Sequence, residues 1–202
     1  MRLTDLQLDA LTEVFNVGAG QAAANLSEVV GDEVRLSVPR IQFNNRAEVS
    51  AATLSLANQR VGSVRQRFSG PFSLDASLLF KEAGALEIVQ EMIGSQVSMG
   101  DLVDFEQEAM CELGNIILNG CMSAIADLLQ VELSSTLPEY TVDASDVVVS
   151  HLLSDMSQPV IMVLYIDLAI EKRQTHGSLV FLLTSGSLAE LVAALDRFLA
   201  NI

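Results

Sequence analysis

"DALTEVFNVGAGQAAANLS", residues 9–27, decides how this chain is read. Leu8, Leu11, Phe15, Ala22, Leu26 and Val29 recur at helical spacing, the pattern of one apolar helix face. At about 100° per residue, Asp9, Glu13 and Asn16 share a stripe roughly 60° wide beside that face. Asn16 sits mid-helix, where Asn competes for backbone hydrogen bonds and costs roughly half a kcal/mol relative to Ala. A solvent-facing helix position offers little packing reason to keep it.

The stretch recurs. At an offset of 99, "DALTEVFNVGAG" lies over "EAMCELGNIILN", residues 108–119. Glu13 falls on Glu112, Asn16 on Asn115 and Pro39 on Pro138, while core positions drift: Val14 to Leu113, Val17 to Ile116, Leu26 to Ile125. "GSVRQRF" (62–68) meets "IMVLYID" (161–167), and Leu86 matches Leu188 after a three-residue insertion near "EKRQTH", 171–176. The second helix repeats the stripe with Glu108, Glu112 and Asn115, over an apolar face of Phe105, Met110, Leu113, Ile117, Ile125 and Leu128.

Each half therefore reads helix, strands, helix. The first predicts a helix near 4–30, strands near 32–43, 48–57, 60–69 and 72–80, and a helix near 81–94. The second predicts a helix near 103–130, strands near 131–137, 158–169 and 176–184, and a helix near 185–200. "DASDVVVSHLL" (143–153) is ambiguous between strand and helix. With no Pro/Gly/Ser linker between the halves, the expectation is one α+β domain over 1–202. It is internally duplicated as 1–99 and 100–202, with pseudo-two-fold order, a largely antiparallel sheet and two long helices presenting the polar stripes.

Composition narrows the function. The formal charge is −15, from 26 acidic and 11 basic residues. That disfavours nucleic acid and anionic lipid, which require clustered Lys and Arg, and suits a partner offering a cation. Cys111 and Cys121 are about 15 Å apart along one helix, too far for a disulfide. The apolar run 159–170 is short and contains Asp167, so it reads as a buried strand and not a membrane span. The N-terminus lacks the apolar core of a signal peptide, so a cytoplasmic protein is expected. His151 and His176 lie in different segments without a Cys/His cluster, so no metal site is expected. His176 is expected in a solvated hairpin loop. "NVGAG" lies inside a helix, which argues against a phosphate-binding loop; Gly18 and Gly20 are expected to allow close packing on the sister helix.

A repeated Glu-x2-Asn on an exposed helix face has a definite chemistry. Asn is neither nucleophile nor base at neutral pH, but its amide both donates and accepts. It can hold a water in line for attack on a phosphoryl group, where catalysis is mainly positioning and charge stabilisation. Glu can pair with a partner's lysine. The stripe is convex, so it would enter another protein's active site.

The pattern D/S-x3-E-x2-N-x22-P resembles that of the CheC, CheX and FliY phosphatases of bacterial chemotaxis. Asp9, Glu13, Asn16 and Pro39 fit it throughout; Glu112, Asn115 and Pro138 repeat it, with Glu108 where the family has Asp or Ser. Two copies in one chain look like CheC. The resemblance implies dephosphorylation of a CheY-like response regulator. Asn16 and Asn115 would orient the attacking water, Glu13 and Glu112 would dock on the receiver's lysine, and Asp9 and Glu108 would be accessory. It implies no cofactor of the protein's own, the receiver supplying both the phosphorylated aspartate and Mg²⁺. It also implies a second partner, a CheD-type deamidase, on a surface away from these helices. The rival function is a non-catalytic adaptor of chemotaxis signalling that keeps only such binding.

Overall fold

The computed structural model describes residues 3–93, 99–154, 160–170 and 173–200. Helix α1 spans Asp5–Val30, followed by β1 (Val34–Asn44), β2 (Arg60–Ser69), β3 (Ser73–Lys81) and α2 (Glu82–Ile93). Then come α3 (Met99–Leu129), β4 (Ser134–Ser135), β5 (Glu139–Ala144), α4 (Ser145–Ser154), β6 (Val160–Ile170), β7 (Arg173–Leu183) and α5 (Ser185–Leu199). The architecture is α+β.

Local chemistry sets the ends of α1. The Thr4 side chain accepts from the Gln7 N–H, and the Gln7 side chain accepts from the Thr4 N–H at 2.8 Å, a reciprocal capping box. Gly31, at φ 75°, closes the helix in the left-handed region that glycine adopts without steric cost. Ser27 Oγ then accepts from the Val34 N–H at 3.0 Å and starts β1.

All strand pairs are antiparallel, in one sheet ordered β1-β6-β7-β3-β2-β4, with β5 also paired to β2. Strand β1, from the first half of the chain, lies on β6 from the second; β5, from the second half, lies on β2 from the first. Each half thus completes the other's sheet. The strand order also reads alike from both ends: Ile41 lies opposite Leu164 on one flank, and Tyr140 opposite Val64 on the other.

One face of the sheet is covered by the helices, with a core that includes Leu11, Phe15, Leu26, Met110, Leu113, Ile117 and Phe181. The other face carries a smaller core of Val49, Leu54, Leu56, Val149, Leu152 and Leu182 among others. Helices α1 and α3 touch backbone to backbone. A Cβ on Gly18 would stand 2.7 Å from the Cys121 Cα and from the Gly120 carbonyl oxygen. Gly20 does not share this role, since nothing lies within 4 Å of its would-be Cβ.

Several expectations change, and one ambiguity is resolved. Residues 48–57 are not a strand: a 3-10 turn (Arg46–Glu48) leads into turns, capped by Asn45 and pinned by Ser50 and Thr53 hydrogen bonds. Their apolar alternation comes from Val49, Ala51, Leu54 and Leu56 folding onto the smaller core. The ambiguous 143–153 stretch is mainly helix α4. Residues 131–137 keep only the two-residue β4. The expected loop at 171–176 is shorter: Ile170 pairs with Arg173 and His176 lies in β7 opposite Asp167, while Glu171 and Lys172 lie outside the described residues. On the helices, Leu8 and Leu128 are half-buried and Val29 and Phe105 are exposed, unlike their expected core partners.

Candidate functional site

The structure places Asp9, Glu13 and Asn16 on α1, and Glu108, Glu112 and Asn115 on α3. The four carboxylates are exposed, and among the described residues no hydrogen bond or ion pair holds them. They are available to a cation on a partner. Both asparagines are half-buried.

The two amides are held differently. Asn16 Nδ2 donates to the Thr12 carbonyl at 2.9 Å and to the Val38 carbonyl at 3.4 Å, and its Oδ1 accepts from the Val38 N–H at 3.0 Å. Val38 lies in the gap where the β1–β6 register shifts between Ser37 and Arg40, so the side-chain amide takes the place of a missing ladder partner. Pro39, with no N–H to offer, lies in that same gap. The spacing from Asn16 to Pro39 therefore has a structural meaning, and the expectation that Asn16 has no packing reason to be there is corrected.

Asn115 makes no such bond to Leu137. Its Oδ1 accepts from Asn119 Nδ2 at 2.7 Å and from Gln66 Nε2 at 3.3 Å. Gln66 Nε2 also donates to the Thr136 carbonyl at 2.8 Å. Asn115 Nδ2 has no partner among the described residues, and it is not among the buried unpartnered atoms, so it is not sealed from solvent. Helix α3 comes this close to β2 because position 114 is glycine: a Cβ there would stand 2.7 Å from Val64 Cβ. Val64 and Gln66 lie on the same face of β2.

The second site lines an open groove of about 730 Å³, with Phe105, Glu108, Cys111, Glu112, Asn115 and Leu137 among its walls. Leu137 is 86% exposed and Phe105 46%, an apolar rim beside two carboxylates. Val29, near the end of α1, also lines it. The Cys111 thiol points at the Pro138 carbonyl, 3.7 Å away, and burial raises its pKa, which does not favour a reactive thiolate. Among the described residues no group of three or more His, Cys, Asp or Glu is arranged to hold a metal ion. Phe105–Leu129 has the length and apolarity of a membrane span, but 56% of that window is buried inside the protein, as in a core helix.

Sequence reasoning missed Gln66, Asn119 and the Val38 backbone. Gln66 did leave a signal: between Val64 and Phe68 it is the one polar residue on an inward-facing stripe.

The chain has relatives in sequence and in fold. Residues 6–42, which hold the first Asp–Glu–Asn–Pro set, match the model of the CheC-like family. The CheY-P phosphatase CheC of Bacillus subtilis is 28% identical over 155 residues, 75% of this chain and 74% of that protein. Thermotoga maritima FliY has the same fold, with a TM-score of 0.76 and 15% identity over 98% of this chain and 100% of that one. The CheX of a CheX–CheY–BeF3–Mg²⁺ complex from Borrelia burgdorferi shares it more distantly, with a TM-score of 0.51, 11% identity, and coverage of 85% and 97%. The fold is thus the one shared by FliY and CheX. Within it, the family match, the relative and the fold together fit a CheC-type chemotaxis protein.

Proposed function

We propose that this protein is a cytoplasmic phosphatase acting on the aspartyl-phosphate of a CheY-like receiver domain. The observation that carries the reading is the pair of Glu-x2-Asn sets on the two long helices, each with an exposed carboxylate one helical turn before a half-buried amide. The phosphatase name of the Bacillus subtilis relative supports it.

In this reading Glu13 or Glu112 pairs with the receiver's lysine, and Asp9 or Glu108 adds negative charge beside it. Asn16 or Asn115 holds a water in line with the phosphorus. Water attacks, the bond from phosphorus to the aspartyl oxygen breaks, and the products are the free carboxylate and inorganic phosphate. The receiver brings its own Mg²⁺, so the phosphatase contributes position and hydrogen bonds. The apolar rim of Phe105 and Leu137 would rest on the receiver's surface around its active site.

The test phosphorylates the receiver with a small phosphodonor and Mg²⁺ and follows its decay. Acceleration by this protein that disappears in the Asn16→Ala, Asn115→Ala double variant supports the reading. Undiminished acceleration in that variant overturns it. Binding without acceleration would point to the adaptor role instead.

A further inference from the structure

Resting on the phosphatase reading, we propose that Gln66 is a positioning residue of the second site. Together with Asn119 it fixes the Asn115 carboxamide so that its N–H2 group faces the groove.

The orientation follows from donor counting. Two amide nitrogens, Gln66 Nε2 and Asn119 Nδ2, point at Asn115 Oδ1. Turning Asn115 over would set its own Nδ2 against both of them, donor to donor. Turning Gln66 over would set its oxygen against the Thr136 carbonyl, to which Nε2 now donates. Asn119 is anchored as well, since its Nδ2 also donates to the Asn115 backbone carbonyl at 2.9 Å. Each amide fixes the next, and the one free pair of hydrogens left for a water is on Asn115.

Gln66 is not there for the fold. It is 1% exposed, and its Oε1 is buried without a partner among the described residues, a cost that an apolar residue would avoid. The other flank of the sheet shows such a residue. Leu164 lies opposite Ile41 as Val64 lies opposite Tyr140, so the counterpart of Gln66, two residues on, is Ile166, one position beyond the Tyr165 that the offset of 99 pairs with it. Ile166 is buried among apolar neighbours. At the first site no strand side chain among the described residues bonds to Asn16; the Val38 backbone holds it.

The test uses Gln66→Met, which keeps the shape and removes the donors, in an Asn16→Ala background that leaves only the second site. Expected is a kcat reduced roughly three- to tenfold, the value of one hydrogen bond, with KM for the phosphorylated receiver unchanged. In an Asn115→Ala background Gln66→Met should cost nothing further, because the group it positions is gone. Asn119→Ala, a substitution helices favour, tests the same orientation from the other donor and should also lower kcat alone. A side-chain amide NMR signal of Asn115 that becomes more mobile in either variant would support the assignment independently of turnover. Unchanged kcat in the Asn16→Ala background overturns it, as does an equal loss in the Asn115→Ala background, which would mean general damage to the fold. Wild-type protein that leaves receiver decay unchanged would end the phosphatase reading, and this role with it. Working wild-type protein with an unaffected Gln66→Met variant would end this role alone.

Discussion

Two asparagines that look alike in the sequence do different work in the fold. Asn16 satisfies both backbone groups of Val38, which is 1% exposed and outside the strand ladder. Asn115 satisfies only two side-chain donors, and one of them, Gln66, has the Thr136 carbonyl as well. Asn16→Ala should therefore cost about 0.5–2.5 kcal/mol: two net hydrogen bonds of roughly 0.5–1.5 kcal/mol each, less about 0.5 kcal/mol regained in helix propensity. Asn115→Ala should fall within about 0.5 kcal/mol of wild type. Urea unfolding of the two variants checks this, and equal losses would contradict the Val38 clamp. The Glu–Asn pairs were legible because they recur at fixed spacing. Which way each amide faces was not, because that depends on Val38 and Gln66, which are remote in sequence and meet the helices only through the sheet.

At the scale of the element, the contact between α1 and α3 is made by small residues. Gly18→Ala would drive a methyl group into the Gly120–Cys121 backbone at 2.7 Å, and backbone cannot swing aside as a side chain can. A loss of about 2–3 kcal/mol is expected, in the range of overpacked core sites. Gly20→Ala, with open space around it on an exposed part of the same helix, should instead stabilise by about 0.5–1 kcal/mol. Thermal melts of the pair give opposite shifts if the packing is as described, and shifts of the same sign would refute it. The sequence suggested both glycines as contact points because helical spacing alone cannot tell which side of a helix meets its sister. The long helices, β2 and β3 were legible from periodicity. Residues 48–57 misled because Val49, Ala51, Leu54 and Leu56 alternate like a strand, while the turn chemistry of Asn45, Ser50 and Thr53 prevails over that pattern.

At the scale of the whole molecule, each half lends a strand to the other's sheet, so neither half can lose its structure alone and unfolding should be one cooperative transition. The groups that make that transition sensitive to pH lie where α3 meets the rest. Cys121, whose backbone packs against Gly18, is buried, and burial pushes its thiol pKa from the ordinary 9.0 up to about 12. Burial, and then a hydrogen bond to Glu106 at 2.5 Å, raises the Tyr140 phenol well above its ordinary 10.0. In both cases the folded protein keeps a proton that the unfolded chain releases. The unfolded state therefore binds fewer protons above pH 9, and stability falls as pH rises. Below pH 9 these two groups contribute no slope, because both states hold the proton. From about pH 9 the thiol, and from about pH 10 the phenol as well, should each add a descent of up to about 1.4 kcal/mol per pH unit. For Cys121 that descent ends near pH 12, where the folded thiol also ionises. Urea midpoints between pH 7 and 11 measure it directly. Cys121→Ala, though less stable at every pH through its cavity, should show a shallower descent between pH 9 and 10, where the thiol dominates. A wild-type curve flat to pH 11, or an unchanged slope in Cys121→Ala, would mean that α3 does not seal this thiol into the shared core.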